Sequence, residues 1–145
     1  MSSPDLLRRV VLPVASASDA EATCEAAVPY LANADGEVHG VYVIETTPGA
    51  PNKAPPEAMY EYAHEALSTV EERCRDASIP VGTELHADPD VPETVFEVAR
   101  DEGATAVGIL PREGSRWGKL LTGDNALSMI TRNDVPVVVF PAPTG

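Results

Sequence analysis

The sequence predicts an α/β protein built on a parallel β-sheet with helices on both faces. Short apolar runs of strand length alternate with segments of helical spacing along the chain, the pattern of repeated β-α units. The first run, RVVLPV at residues 9–14, is continuously apolar, as in a strand buried on both faces, and PVVVF at residues 136–140 is another apolar run of strand length. The 145 residues suffice for one core, so we expect a single domain over residues 1–145.

The first helix is predicted from a capping pattern and an apolar stripe. Ser18 and Glu21 have the spacing of a capping box, which predicts that the helix begins there. The helix is expected to end near residues 33–36. Its apolar stripe consists of Ala20, Cys24, Ala27, Val28 and Leu31. Because Cys24 lies on this stripe, we expect its thiol to be buried and unreactive.

The second strand is predicted at residues 37–45 and contains a single histidine, His39. We expect this histidine to be packed or hydrogen-bonded rather than to act as a ligand. Residues 46–56 hold four prolines and a glycine, which predicts a loop. A surface loop is the favoured interpretation, and a lid over one end of the sheet is the alternative.

A long amphipathic helix is predicted at residues 57–77. Glu61, His64 and Glu65 lie close together on one face of it. A Glu-x-x-His metal site needs matching ligands from other helices, and no such segment is evident, so we expect a solvated face. The apolar stripe consists of Met59, Ala63, Ala66, Leu67, Val70 and Cys74.

The second half of the chain continues the alternation. Residues 79–87 alternate in polarity after an early proline, which predicts an edge strand. A turn at residues 88–92 begins a helix that Gly103 is placed to end, with Val91, Val95, Val98 and Ala99 on its apolar stripe. A strand at residues 104–110, a loop at 112–123, a helix at 125–132 and the last strand complete five strands and four helices.

The charge balance limits the possible partners. Asp and Glu number 23 against 10 Lys and Arg, a formal net charge of −13. Nucleic acid and anionic membranes are disfavoured, because both require a basic surface. Because salt screens the repulsion among so many negative side chains, we expect a protein of a salt-loving cytoplasm. An ordinary acidic protein is the alternative. No apolar run approaches the roughly 20 residues of a membrane span, and the amino terminus lacks the apolar core of a signal peptide.

Three segments resemble the universal stress protein family: VVLPV in the first strand, VHGVYVIE in the second, and GDNALSMITRNDVPVVVFP near the carboxyl terminus. The resemblance extends over residues 8–141. It implies an adenine-nucleotide alpha-hydrolase-like sheet of strand order 3-2-1-4-5 with two helices on each face. It also implies a homodimer formed through the last strand, which here runs from Val135 to Phe140.

The resemblance is weak where members of the family bind ATP. Those members resemble one another in a Gly-x-x-Gly, nine residues, and then Gly followed by Ser or Thr. The corresponding positions here are Leu110, Glu113, Gly123 and Asp124, of which only Gly123 matches, and Ala15 stands where an acidic residue follows the first strand. Glycines let the backbone approach phosphates closely, whereas Asp124 would cap the next helix with a negative charge that repels them.

A cluster of basic residues supports the opposite interpretation. Arg112, Arg116 and Lys119 lie within eight positions of one another, and Gly114 is one residue from the expected glycine. A shift by one residue would rebuild an anion site with arginine side chains, and Asp124 would then act through Mg²⁺. Pairing of these cations with nearby acids is the alternative. The candidate nucleotide loop consists of Arg112, Gly114, Ser115, Arg116, Gly123 and Asp124.

Two hypotheses follow for function. The first is a dimeric regulatory or interaction module that has lost ATP binding. The second is a nucleotide-binding stress-response protein of the ATP or AMP type, at most a slow ATPase, with Mg-ATP as its cofactor. A conventional enzyme is disfavoured, because no Ser/His/Asp order and no His/Cys metal spacing is evident, and the two cysteines lie at unrelated spacing.

Overall fold

The computed structural model describes residues 5–47, 56–110 and 135–142. The predicted alternation of strands and helices is confirmed within these ranges, and each strand lies within two residues of its predicted bounds. The predicted helix at 125–132 and most of the loop at 46–56 lie outside the described residues. The elements are β1 (Arg9–Pro13), α1 (Ala17–Asn33), β2 (Glu37–Glu45), α2 (Glu57–Asp76), β3 (Val81–Asp88), α3 (Val91–Asp101), β4 (Ala106–Ile109) and β5 (Val137–Val139).

The five strands form one parallel sheet of order β3-β2-β1-β4-β5. This is the order that the family resemblance implies. From β1 the chain moves outward to β2 and β3, and it then crosses back to β4 and β5. Right-handed crossovers in opposite directions place their helices on opposite faces. Accordingly, α1 and α2 pack together on one face, and α3 covers the other.

Alternation along β1 supplies both hydrophobic cores. Val10 and Leu12 face α1 and α2, whereas Val11 faces α3, and all three are fully buried. Burial on both faces explains why the first run of the sequence is apolar without interruption. Each core is completed by aliphatic side chains of the helix that covers it, such as Leu31 of α1 and Val95 of α3.

The start of α1 differs from the prediction. The N-cap is Ser16 rather than Ser18, because the extended backbone of Ser16 (φ −168°) lets its hydroxyl accept the N–H of Asp19 at 3.0 Å. The helix has therefore begun by Ala17, and Ser18 lies in its first turn. Further along α1, Ala20, Cys24, Ala27 and Leu31 of the predicted stripe are buried, and Val28 is partly buried against the same core.

The stripe of α2 is shorter than predicted. Met59 is 38% exposed, because the first turn of α2 precedes the part of the helix that packs on the core. Burial begins at Ala63 and continues to Cys74. None of the described helices has both the length and the apolar character that a membrane span requires.

The three described helices end in the same way. The residue after each C-cap has a positive φ: 54° at Asp35, 60° at Ser78 and 65° at Gly103. The next N–H then returns to a carbonyl of the last turn, as in the 2.8 Å bond from Ile79 to Cys74, which defines a Schellman motif. The predicted role of Gly103 is confirmed, whereas the other two helices place a side chain in a conformation that favours glycine.

We predict that Ser78→Gly stabilises the protein. Ser78 is exposed, and its left-handed backbone conformation costs a non-glycine residue about 1–2 kcal/mol. Glycine avoids this cost, but it loses more conformational entropy on folding. We therefore expect a net gain in the free energy of unfolding of roughly 0.5–1 kcal/mol. The matched control is Gly103→Ala, which should lower the free energy of unfolding, although a Cβ there meets no atom within 4 Å. Urea denaturation measures both, and a destabilised Ser78→Gly would contradict the interpretation.

Candidate functional site

The candidate site is the crevice at the carboxyl ends of β1 and β4. The chain leaves β1 towards β2 and leaves β4 towards β5, so the direction of the connections reverses between these two adjacent strands. Open α/β sheets bind their ligands at such a switch point, because loops diverge there and leave a gap above the sheet. On the described side, the crevice is bordered by residues 14–16 after β1 and by Leu110 after β4.

The loop after β1 is held by the protein's own hydrogen bonds. Val14 donates its N–H to the carbonyl of Val41 at 2.9 Å. At the next residue, the Tyr42 hydroxyl donates to the Ala15 carbonyl at 3.2 Å, and the Ala15 N–H donates to the Asp19 carboxylate at 2.9 Å. Both backbone groups of Ala15 are therefore engaged within the chain, at the position where ATP-binding members of the resembling family carry an acidic side chain.

Asp19 is a site residue that the sequence reasoning missed. It is buried, with 7% exposure, in the first turn of α1, where the helix dipole favours negative charge. Its carboxylate accepts a hydrogen bond from the Ala15 N–H at the N-terminus of α1, which is where an anionic ligand would otherwise bind to free N–H groups. The signal in the sequence is Ser16-x-x-Asp19, which has the same capping spacing as Ser18 and Glu21 and lies two residues earlier.

The end of β4 is closed by a side chain. Leu110 is 5% exposed and belongs to the core on the α1 and α2 face, together with Val14 and Phe140. A glycine at this position would leave space for the backbone to approach a phosphate, as the sequence comparison with ATP-binding members implied. Here a buried isobutyl group occupies the position, so Leu110 has a structural role at the border of the crevice.

The candidate nucleotide loop lies outside the described residues. Arg112, Gly114, Ser115, Arg116, Gly123 and Asp124 all fall within residues 111–134, as do Trp117 and Lys119. Their grouping around an anion stays a prediction. The described part of the crevice contributes Asp19, Leu110 and the backbone of residues 14–16.

A second polar cluster lies on β2 and β3, on the sheet face that α3 covers. His39 Nε2 lies 2.7 Å from one carboxylate oxygen of Glu84, and His86 Nε2 contacts the other oxygen. The expectation that His39 is hydrogen-bonded is thus confirmed. Partial burial by itself would raise the pKa of Glu84, but the hydrogen bonds from His39 and His86 outweigh it and lower that pKa below its usual value.

The two cysteines meet between α1 and α2. Cys24 and Cys74 are both buried, and their thiols are hydrogen-bonded to each other. That bond, followed by burial, raises the pKa of the Cys24 thiol well above its ordinary value, so it stays protonated at neutral pH. The expectation of a buried thiol at Cys24 is confirmed. Glu61, His64 and Glu65 are exposed on α2, as expected of a solvated face.

A cavity of about 610 Å³ lies along the outer side of α1 and α2. Glu21, Arg73 and Asp76 contribute charged groups to its lining. Because it lies on the helices rather than at the carboxyl ends of the strands, we do not assign it to the crevice.

The sheet order and the crevice define a doubly wound α/β protein of the kind that binds ligands at the carboxyl ends of its strands. The chain belongs to the universal stress protein family, whose family model matches residues 7–141. Among curated proteins, none matches this chain by sequence.

Solved universal stress proteins have the same fold. One from Archaeoglobus fulgidus superposes with a TM-score of 0.68 at 20% identity, over 92% of this chain and 93% of that one. The universal stress protein from Archaeoglobus fulgidus in complex with dAMP gives 0.67 at 20% identity, over 94% and 99%. A universal stress protein in complex with cAMP gives 0.63 at 14% identity, over 94% and 98%. At these identities the similarity establishes the fold alone.

We predict that Leu110 is needed for stability. Leu110→Ala should lower the free energy of unfolding by about 3 kcal/mol, because it removes buried methyl groups and leaves a cavity beside Val14 and Phe140. The matched control is Leu6→Ala, which should change stability by less than about 0.5 kcal/mol, since Leu6 is 46% exposed. Equal effects of the two substitutions in urea denaturation would contradict a structural role for Leu110.

Proposed function

We propose that this universal stress protein domain is a dimeric regulatory or interaction module that has lost ATP binding at the usual crevice. The observation that carries the proposal is Leu110, a buried leucine that borders the crevice where ATP-binding members have a glycine. By the same proposal the protein acts in a salt-rich cytoplasm, where salt screens its net charge of −13.

The charges around the crevice support the loss of ATP binding. At the start of α1, the Ala15 N–H already donates to the carboxylate of Asp19, so a negative charge of the protein itself occupies this end of the helix. Glu113 and Asp124 add two acidic residues where the family motif has glycine and a hydroxyl side chain. A triphosphate would therefore meet carboxylates at two positions where ATP-binding members have glycine or a hydroxyl side chain, in addition to the carboxylate of Asp19 at the start of α1.

The edge of the sheet supports a homodimer through the last strand. Among the described strands β5 pairs only with β4, and Val139 is 51% exposed. Phe140 donates its N–H to Ile109 at 2.9 Å, and backbone groups alternate in direction along a strand, so the Val139 N–H is directed away from β4. An open apolar edge of this kind is suited to strand pairing with a second copy.

The second candidate is an adenine-nucleotide-binding stress protein that uses the basic loop. Arg112, Arg116 and Lys119 favour it, since arginine side chains can replace backbone donors around a phosphate. The similar structures in complex with dAMP and cAMP favour it as well, because they show that proteins of this fold bind adenine nucleotides. The nucleotides in these two complexes, dAMP and cAMP, are monophosphates, so a monophosphate belongs in the test.

Thermal unfolding with and without ligand separates the two candidates. In molar KCl, we predict that millimolar Mg-ATP leaves Tm unchanged. Binding with a Kd near 10 µM would instead stabilise the fold by about 2.7 kcal/mol at a hundredfold excess, which corresponds to a rise of roughly 5–11 °C. Such a rise would overturn the proposal for ATP, and a rise with AMP alone would support the second candidate.

Variants locate any binding that this experiment detects. Arg112→Ala with Arg116→Ala should abolish a shift caused by the basic loop. The matched control removes Arg75 and Arg100, two exposed arginines whose ion pairs are 3.4 Å long. Conversely, Glu113→Gly with Asp124→Ser restores two positions of the family motif. A Tm shift by Mg-ATP in this variant alone would support the explanation that these residues removed the site.

If the dimer forms through β5, a substitution in this strand should change the mass of the particle in solution from that of a dimer to that of a monomer. Val139→Pro removes one N–H from the open edge without touching the bonds to β4, so the dimer should dissociate. Val139→Ala keeps that N–H and is the matched control. Light scattering after size exclusion should give twice the monomer mass of 15.3 kDa for the wild type and the control. A monomeric wild type, or a dimeric Val139→Pro with unchanged affinity, would contradict the proposal.

A further inference from the structure

Three side chains with metal-ligand chemistry converge on the α3 face of the sheet. They are His39 of β2, Glu84 of β3, and Glu102, the C-cap of α3. One ligand atom from each lies within 4.8 Å of the other two. This is the one such group of three among residues 5–47, 56–110 and 135–142, and it brings together residues up to 63 positions apart in the sequence.

The sheet register holds the first two ligands in place. His39 lies directly opposite Gly82, and Val41 lies opposite Glu84, so His39 and Glu84 share one face two residues apart. A Cβ at Gly82 would stand 3.3 Å from His39 Nδ1, which shows that the imidazole lies across the glycine. This position directs Nε2 to Glu84, at 2.7 Å from Oε1.

Glu102 is positioned by the end of α3. Its carbonyl accepts a hydrogen bond from Arg9 Nη1 at 2.6 Å, which ties the helix end to the first residue of β1. The same guanidinium forms an ion pair with the Glu37 carboxylate at 2.6 Å through Nε. Arg9 is thus directed to Glu37 and to a carbonyl, and the Glu102 carboxylate is left to face the histidine and Glu84.

We propose that His39, Glu84 and Glu102 bind a divalent metal ion of the Zn²⁺ type, with His86 completing the ligand set. Imidazole nitrogen with carboxylate oxygen is a donor set that suits Zn²⁺ and neighbouring transition metals better than Mg²⁺ or Ca²⁺, which prefer oxygen alone. Two carboxylates balance the charge of the dication. His86 Nε2 already contacts the second oxygen of Glu84, so it lies next to one of the three ligands.

The distances require small side-chain movements. Ligand atoms around a tetrahedral zinc ion are about 3.3–3.6 Å apart, given bonds of about 2.0–2.2 Å. The 2.7 Å contact between His39 and Glu84 therefore has to widen by roughly 0.6–0.9 Å, and Glu102 has to move closer. Partial exposure permits this, since the side chains of His39, Glu84 and His86 are 18%, 29% and 37% exposed.

The site lies apart from the crevice. His39 is near the amino end of β2, and Glu102 follows a helix that returns the chain to the start of β4. The crevice lies at the opposite, carboxyl ends of the strands. Metal binding here is therefore independent of whether a nucleotide binds there, and its effect would be to tie the end of α3 to the β2 and β3 edge of the sheet.

The test is a Zn²⁺ titration of the full chain after removal of metal by a chelator. Molar KCl suppresses diffuse binding to the acidic surface. Competition with a chromophoric chelator should give one saturable Zn²⁺ per chain, and Tm should rise with Zn²⁺ concentration. His39→Gln and Glu102→Gln should each weaken binding by about tenfold or more, since even supporting residues of metal sites have effects of that size.

Two matched controls carry the same substitutions outside the cluster: His64→Gln on the exposed face of α2, and Glu97→Gln on the exposed face of α3. Both should bind Zn²⁺ like the wild type. Circular dichroism of the metal-free variants confirms that they are folded. The proposal is overturned if no saturable binding occurs, or if the controls weaken binding as much as His39→Gln and Glu102→Gln do. No nucleotide is present, so failure here leaves the proposed function untouched.

Discussion

The central strand β1 is the constraint on which the rest of the structure depends. Val10, Val11 and Leu12 are fully buried, and their alternate side chains belong to two different hydrophobic cores. Because β1 pairs with β2 on one side and with β4 on the other, it also fixes where the connections reverse direction. The positions of both cores and of the crevice therefore follow from β1, a short strand that is buried on both faces and paired on both sides.

Features that follow from local pattern were predictable from the sequence. The uninterrupted apolar run predicted the buried strand β1, and the alternating polarity of residues 79–87 with their early proline predicted that β3 lies at an edge. The strand order itself rested on the family resemblance, since pattern alone does not choose among the right-handed arrangements. Met59 was misplaced because helical periodicity indicates which face of α2 is apolar, and not how far the core extends along that face.

The sites were less predictable, because they depend on tertiary contacts. Leu110 is a departure from a sequence motif, but its burial arises in a core that it shares with residues distant in the sequence, such as Val14 and Phe140. Asp19 was overlooked because moving the N-cap from Ser18 to Ser16 changes which carboxylate reaches the loop after β1. His39 and Glu84 are brought together by strand register and Glu102 by the end of a helix, and no spacing rule in the sequence connects all three.

The hydrogen bonds at the loop after β1 have a consequence for recognition. Val14 is hydrogen-bonded to Val41, and both backbone groups of Ala15 are hydrogen-bonded, to Tyr42 and to Asp19, so this rim of the crevice is fixed by bonds within the chain. A molecule that docks on a fixed rim does not have to restrict its backbone, and the entropy cost of association is correspondingly small. Any ligand of this crevice would have to fit the existing contour, because a ligand that required the rim to move would have to break these hydrogen bonds.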